Sequence, residues 1–212
     1  MDKILKNNTR QSRVYLFVKR GTDIFISATL IVFLSPLMAI IAIAVAITSE
    51  GGAIFKQKRL GREERVFTCL KFRTMFRDTP HDIPTAEFIG MDGFITPIGK
   101  ILRQTSLDEL PQLFNVLLGD MSMVGPRPLI PNEVEVAKMR REAGVYSVRP
   151  GITGFAQING RDNVTDAEKT ELDKLYIEEM SFFTDLTILL MTPIRALRGK
   201  DIKTDKKRIR KG

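Results

Sequence analysis

The chain has 212 residues, of which 43% are hydrophobic, and its net charge is +8. This length can build one compact domain with its own core. A single cysteine, Cys69, and a single histidine exclude an intramolecular disulfide and a zinc site built from several Cys and His ligands. A reduced compartment is therefore expected.

The positive charge is concentrated in three blocks. Residues 1–23, 51–77 and 195–212 carry +4, +6 and +7, whereas residues 78–194 carry −8. Basic blocks indicate either nucleic acid or an anionic surface, and composition alone does not choose between them. The sequence has no recognisable nucleic-acid-binding module and its long central region is acidic, so nucleic acid is not an expected partner.

The first predicted element is an apolar helix over residues 24–48, which contain no charged side chain. Such a helix would be about 37 Å long, enough to cross a hydrocarbon core of about 30 Å. It starts too late and is too long for a cleaved signal peptide. Lys19 and Arg20 precede it and further basic residues follow it. Because Lys and Arg favour the cytoplasmic side, both ends are expected there.

Ser35 and Pro36 lie at the midpoint of this segment. Pro36 removes the amide that would bond to the carbonyl of Val32, and it can bend the helix back on itself. The Ser35 hydroxyl can occupy a nearby carbonyl, such as that of Ile31. A re-entrant hairpin is therefore favoured over a kinked transmembrane span, and either path leaves the rest of the chain at the cytoplasmic face.

Three elements are predicted further along the chain. Residues 53–75 indicate two short strands around a turn at Gly61, with an apolar face at Val66, Leu70 and Phe72. Residues 165–180 indicate a helix with a capping box and an apolar stripe; the positions are Thr165, Glu168, Leu172, Leu175, Tyr176 and Met180. The last stretch carries an apolar stripe at helical spacing, formed by Phe183, Leu186, Leu190, Ile194 and Leu197. It is too short to span a membrane, and the stripe is expected to pack in the core in preference to lying in the membrane interface.

Two adjacent carboxylates, Asp108 and Glu109, stand just before Pro111. Ser106 and Glu109 fit a capping box, in which case the acids only favour a helix start. Alternatively the helix begins at Pro111 and leaves both acids ahead of it. Adjacent carboxylates are suited to Mg²⁺ together with substrate phosphates, and an aspartate can itself attack phosphorus. Spacing alone leaves capping and catalysis equally open.

The motifs resemble one family in order and in detail. They are the Lys19-Arg20 and Asp23 entry to the apolar segment, Ser35-Pro36, FKQKRLG, FTCLKFRTM, LRQTSLDELPQLFNVLLGDMSMVGPRP and RPGITGFAQINGR, within residues 18–198. The chain is similar to the bacterial sugar transferase family of monotopic phosphoglycosyl transferases. Members of that family transfer a sugar 1-phosphate from a UDP-sugar to a polyprenyl phosphate, for the assembly of membrane glycoconjugates such as exopolysaccharide.

The resemblance implies roles for particular residues. Asp108 matches the nucleophile that releases UMP and holds the phosphosugar covalently, and Glu109 matches its partner in metal binding or acceptor activation. Mg²⁺ is the implied cofactor, held by this acid pair. The implied phosphate-binding residues are Lys71, Arg103, Arg127, Arg149 and Arg161. The glycines of RPGITGFAQINGR, at 151, 154 and 160, are spaced for turns.

The implied architecture is α+β and mostly helical, with interfacial amphipathic helices and a small β element. The N-terminal segment would be 1–50, with a re-entrant hairpin at 24–48 that breaks at Ser35-Pro36. The catalytic domain would be 51–198 and the basic tail 199–212, at the cytoplasmic face of the bacterial inner membrane. The implied partners are a UDP-sugar, a polyprenyl phosphate and membrane lipids, and a homodimer is left open. A purely structural membrane protein would explain the apolar segment but not the acid pair beside arginines.

Overall fold

The computed structural model describes residues 13–79, 92–159 and 164–198. They form a mostly helical fold with two two-stranded sheets, as the α+β prediction requires. The helices are α1 (Arg13–Thr48), α2 (Pro97–Thr105), α3 (Gln112–Leu118), α4 (Val134–Glu142), α5 (Phe155–Ile158), α6 (Asp166–Glu178) and α7 (Phe182–Arg198). The strands are β1 (Ile54–Leu60), β2 (Val66–Phe72), β3 (Ser122–Val124) and β4 (Gly151–Thr153).

Helix α1 is one element of 36 residues with Pro36 inside it. The expected interruption at Ser35-Pro36 therefore does not divide the helix into two. The Ser35 hydroxyl donates to the carbonyl of Val32 at 2.8 Å, and not to that of Ile31 as suggested by the sequence. Val32 is the residue whose carbonyl loses its helical N–H partner to Pro36. This substitute bond explains how the helix continues through the proline.

Both ends of α1 contact the same body of the protein. Near the start, the Arg20 guanidinium donates to the carbonyls of Val116 and Leu117 at 2.7 and 3.0 Å. Near the end, Ile41 and Val45 are buried in a core cluster. The outward face of the helix carries large exposed apolar side chains, including Phe25, Val32, Phe33, Ile40, Ile43 and Ile47. α1 therefore packs along one side and presents a hydrocarbon surface on the other.

A cavity of about 340 Å³ lies between the middle of α1 and the neighbouring strand and helix. Its lining is almost entirely apolar: Ile31, Ser35, Met38, Ala39, Ala42, Ile54, Leu70, Phe72, Pro111 and Phe114. The side chains from β2 and α3 are close in sequence to the predicted site residues Lys71 and Asp108. The structure thus places a hydrocarbon-lined space next to the strand that carries Lys71 and the helix that follows the acid pair.

The predicted strand pair is confirmed. β1 and β2 are antiparallel, with Ile54 opposite Phe72 and Leu60 opposite Val66. The predicted apolar face is only partly correct, because Val66 is exposed while Cys69 and Phe72 are buried in different core clusters. Both faces of β2 are covered, and strict alternation does not hold for such a strand.

The predicted capping box of α6 is present: Thr165 accepts from the N–H of Glu168, and the Glu168 side chain accepts from the N–H of Thr165. The buried face of α6 differs in part from the predicted stripe, since Leu175 is exposed. Its buried positions are Thr170, Asp173, Tyr176 and Ile177. Thr170 and Asp173 are the polar residues of this face, and they are buried because α6 packs against neighbouring helices, which its own sequence does not reveal.

The predicted core packing of the α7 stripe is wrong. Phe183, Leu186, Leu190 and Ile194 are all exposed, and Phe183 retains 76% of its accessible surface. Ile188, on another side of the helix, is buried in the core, with Leu189 and Met191 packed against that core. The side chain of Leu197 and the tail 199–212 lie outside the described residues. α7 is therefore apolar on an outward face as well as toward the core.

Candidate active site

The acid pair lies in a short turn between two helices. α2 ends at Thr105, and the next residue, Ser106, caps it: Ser106 is left-handed with φ 58° and its N–H donates to the carbonyl of Arg103. A single 3₁₀ turn, Leu107–Glu109, follows, and α3 begins at Gln112. The capping-box alternative is wrong, because the Ser106 hydroxyl caps no helix in the described part of the chain. The other alternative, in which the helix begins next to Pro111 and leaves both acids ahead of it, is confirmed.

Glu109 is held by two cations. Its Oε1 atom accepts from Lys71 Nζ at 2.8 Å and from Arg127 Nη2 at 3.0 Å. Burial disfavours the charged carboxylate, but the charges and hydrogen bonds of Arg127 and Lys71 outweigh this cost and hold the pKa of Glu109 well below its usual range. Three residues that are far apart in the sequence thus form one ionised cluster.

Asp108 is buried beside this cluster, with 9% of its surface accessible. Within the described part of the chain, its carboxylate accepts no hydrogen bond and forms no ion pair. Burial and the charge of Glu109 raise the pKa of Asp108 to about 6, while Lys71, Arg103 and Arg127 act in the opposite direction. Asp108 is therefore a carboxylate with free oxygens in a site rich in positive charge.

This raised pKa predicts a pH dependence. If Asp108 is the nucleophile that the family resemblance implies, it acts in its ionised form, so the implied release of UMP should fall about tenfold per pH unit below about pH 6 and level off above it. The rate should be measured with the donor alone in single-turnover experiments, because the acceptor phosphate also titrates. Glu109→Gln removes the repulsion and should move this acid limb to lower pH. If the acid limb of the pH profile does not shift in Glu109→Gln, the limb does not report the ionisation of Asp108.

Asn115 holds helix α3, which follows the acid pair, against strand β2. Its side chain is 2% exposed, donates to the carbonyl of Thr68 at 2.8 Å and accepts from the N–H of Leu70 at 3.0 Å. These bonds satisfy backbone groups of the strand at positions just before Lys71. The contact fixes α3, which follows the acids, relative to the strand that carries their lysine.

The loop that carries Arg127 is joined by backbone bonds to the segment around β4. β3 and β4 are parallel, the Gly125 N–H donates to the carbonyl of Thr153, and the Gly151 N–H donates to that of Pro126. A Cβ added to Gly154 would lie 2.2 Å from the carbonyl oxygen of Gly125. Gly151 and Gly154 therefore permit close backbone contact, and the expectation that they form turns is wrong; Gly160 lies outside the described residues.

The structure brings four of the predicted site residues to Asp108: Glu109, Lys71, Arg103 and Arg127. Arg149 is not brought to this cluster. Its Nε donates to the carbonyl of Gly119 at the end of α3 at 2.8 Å, and its charged neighbours are Arg20, Arg62 and Asp23. A cation at the carboxyl end of a helix is a stabilising contact. Arg161 lies outside the described residues.

Two other arginines, neither of them predicted to be a site residue, contact the Arg127 loop. Arg59 on β1 and Arg140 on α4 each donate to a backbone carbonyl of that loop. A weak signal existed for Arg140, which follows the buried Ala137 by three residues and so shares its face of the helix. The neighbouring Arg141 is exposed, so the two arginines have different environments.

The donor set of the acid pair suits Mg²⁺. Among the described residues there is no group of three or more His, Cys, Asp or Glu side chains that could hold a metal. Mg²⁺ often takes only one or two protein carboxylates and completes its shell with water and substrate phosphates. The Asp108 carboxylate and Oε2 of Glu109, which takes neither the Lys71 nor the Arg127 contact, are the oxygens that fit.

Comparison with known proteins gives consistent matches. The profile of the bacterial sugar transferase family matches residues 14–199. The UDP-glucose:undecaprenyl-phosphate glucose-1-phosphate transferase of Klebsiella pneumoniae is 39% identical over 88% of this chain and 42% of its own length. The undecaprenyl-phosphate galactose phosphotransferase of Salmonella typhimurium is 37% identical over 90% of this chain and 43% of its own length.

A shorter relative covers most of its own length. The exopolysaccharide production protein ExoY of Sinorhizobium fredii is 36% identical over 82% of this chain and 83% of its own length. This chain thus spans less than half of the first two relatives but most of the third. The family profile covers nearly the whole described structure, including the acid pair and its cations. The chain therefore belongs to the bacterial sugar transferase family.

Proposed function

We propose that this sugar transferase moves a sugar 1-phosphate from a UDP-sugar to a polyprenyl phosphate and releases UMP. The observation that carries the proposal is the pairing of a buried Asp108 with free oxygens and a Glu109 held by two cations. The names of the Klebsiella pneumoniae and Salmonella typhimurium relatives support the substrates, since both specify undecaprenyl phosphate and the first specifies UDP-glucose.

The proposed reaction has two half-reactions. An Asp108 oxygen forms a bond to the phosphorus that bears the sugar, the bond from that phosphorus to the bridging oxygen breaks, and UMP leaves with this oxygen. A phosphate oxygen of the polyprenyl phosphate then attacks the same phosphorus and releases the Asp108 carboxylate. The product is a polyprenyl diphosphate sugar, and the enzyme returns to its starting state.

The surrounding cations suit this chemistry, because phosphoryl transfer depends mainly on positioning and charge neutralisation. Lys71, Arg103 and Arg127 would bind phosphate oxygens, and the fork of an arginine allows bidentate contact. Asp108 and Glu109 would hold Mg²⁺, which supplies further neutralisation of the phosphates when bound.

A membrane position at the cytoplasmic face of the bacterial inner membrane fits the apolar surfaces. Both ends of α1 contact one body, which supports the placement of both ends on one side of the membrane, although one helix that continues through Pro36 provides this path and not two helices with a break between them. The cavity under the middle of α1 supports an acceptor with a hydrocarbon tail. A soluble nucleotide and a lipid phosphate could then meet at one carboxylate.

The exposed stripe of α7 is expected to lie in the membrane interface. The chain has no tryptophan, so single-tryptophan variants report on single positions. In vesicles that contain brominated lipid, Phe183→Trp and Leu190→Trp should lose most of their fluorescence. The control Lys138→Trp, at an exposed charged position of α4, should keep it. Equal quenching at all three positions would contradict an interfacial α7.

The reaction itself is tested by its product. Detergent-solubilised protein is incubated with Mg²⁺, undecaprenyl phosphate and a panel of UDP-sugars, and UMP release is expected with at least one donor. EDTA should stop the reaction, and added Mg²⁺ should restore it. Release of UDP would instead indicate direct glycosyl transfer and would exclude the proposed intermediate.

A further inference from the structure

The backbone that follows Arg127 is held by two arginine side chains. Arg140 Nη1 donates to the carbonyl of Arg127 at 2.5 Å, and Arg59 Nη1 donates to the carbonyl of Pro128 at 3.0 Å. These are the two successive peptide groups after the Cα atom of Arg127. Since Pro126 and Pro128 also restrict the backbone, the loop keeps little freedom to move the Cα atom of Arg127, from which the side chain reaches Glu109.

Arg140 is itself held by a buried acid. Its Nη2 atom lies 2.9 Å from Oδ2 of Asp173 on α6, and the two side chains are only 5% and 1% exposed. Removing two charges from water costs several kcal/mol, so a buried ion pair often contributes little net stability compared with apolar residues of the same size. Burial also raises the pKa of Asp173 to about 6, although Arg140 opposes the rise. A role besides stability therefore accounts better for this pair.

Arg59 is oriented from its own strand. Its Nε and Nη2 atoms donate to Oε1 of Gln57 at 3.1 and 2.6 Å. Burial and the nearby positive charge of Arg127 both lower the pKa of Arg59. The carboxylates of Glu133 and Glu109 act in the opposite direction and offset part of this repulsion.

We propose that Arg140, held by Asp173, and Arg59, held by Gln57, are positioning residues that fix the Arg127 loop and direct its guanidinium toward a substrate phosphate. The inference rests on the proposed function, in which Arg127 binds phosphate. Neither positioning arginine needs to contact the substrate. They act through the backbone of Arg127, because a small displacement of the Arg127 guanidinium from the substrate phosphate would remove much of its contribution to the reaction rate.

The first test is Arg140→Lys, with Arg141→Lys as the matched control. A lysine keeps the charge but lacks the fork that contacts the Arg127 carbonyl and Asp173 together. Arg140→Lys is expected to lower kcat/KM for UMP release about 10- to 100-fold. Arg141 is the next residue, is exposed and pairs with Glu64, so its conservative replacement should leave kcat/KM unchanged. Thermal melts of both variants show whether the fold is retained.

The decisive measurement is a double-mutant cycle with Arg127→Gln. If Arg140 acts through Arg127, Arg140→Lys should cost little more activity once Arg127 is replaced. An equal fold-loss in both backgrounds, or no loss in the wild-type background, would overturn the proposal. The same cycle with Arg59→Lys provides a second route if Arg140→Lys fails to fold. Loss of the folded state in both lysine variants would show the contacts to be structural and would also overturn it.

These outcomes are separate from the test of the proposed function. Failure of the cycle leaves UMP release and its dependence on Asp108 intact. Failure of the wild-type protein to release UMP from any donor would remove the proposed function itself. Because the cycle compares fold-changes within one assay, it does not depend on which sugar the donor carries.

Discussion

Asp108→Asn is expected to lower UMP release by at least about 10³-fold, because the amide cannot form the bond to phosphorus that begins the proposed reaction. The fold should be retained, since the carboxylate makes no ion pair within the described part of the chain. Mass spectrometry of wild-type protein incubated with donor alone should show a sugar phosphate attached at position 108. The Asn variant should show none.

The same substitution should not weaken the protein. The raised pKa of Asp108 means that the folded state favours its protonated form, so this group destabilises the fold as the pH rises from about 4 to about 6. At pH 7 the full penalty is present, about 1–3 kcal/mol. Asp108→Asn removes it, and Tm is expected to rise. A clear fall in Tm would show that lost activity reflects damage to the fold, and Asp166→Asn at an exposed position is the control.

Lys71→Met is expected to lower turnover about 10²- to 10³-fold, a loss typical of removing one charge from a preorganised site. Lys71 binds Glu109 at 2.8 Å and also lowers the pKa of Asp108, so its removal weakens the phosphate site and favours the protonated nucleophile. The acid limb of the pH profile should therefore move to higher pH.

The matched control is Lys58→Met on the adjacent strand. Lys58 is exposed and its Nζ contacts the Thr68 hydroxyl at 3.0 Å. Both variants remove one lysine from the same hairpin, so the net charge change is equal. If both lost activity to the same extent, the effect would reflect the overall charge at the membrane surface and not the position of Lys71.

Features that depend on neighbouring residues could be predicted from the sequence. The uncharged run over 24–48, the hairpin around Gly61 and the capping box at Thr165 each arise from local hydrophobicity, turn geometry or hydrogen bonding. The spacing of the residues predicted two alternatives for Asp108 and Glu109, and one of them placed both acids ahead of α3. Their catalytic role is implied only by the resemblance to the family. That role remains a prediction for the experiments on Asp108.

Only the tertiary structure determined which charged side chains lie in contact with each other. Glu109 is paired with Lys71 and Arg127, 38 and 18 residues away, and no local rule predicts those distances in space. The same is true of Arg140 with Asp173, and of Arg149, which contacts a helix end instead of the acids. Whether an apolar stripe faces the core or the outside, as in α7, also depends on the shape of the surrounding helices. Local chemistry determines the elements of this protein, whereas long-range packing determines its charge pairs, because each pair requires two distant segments to be buried together.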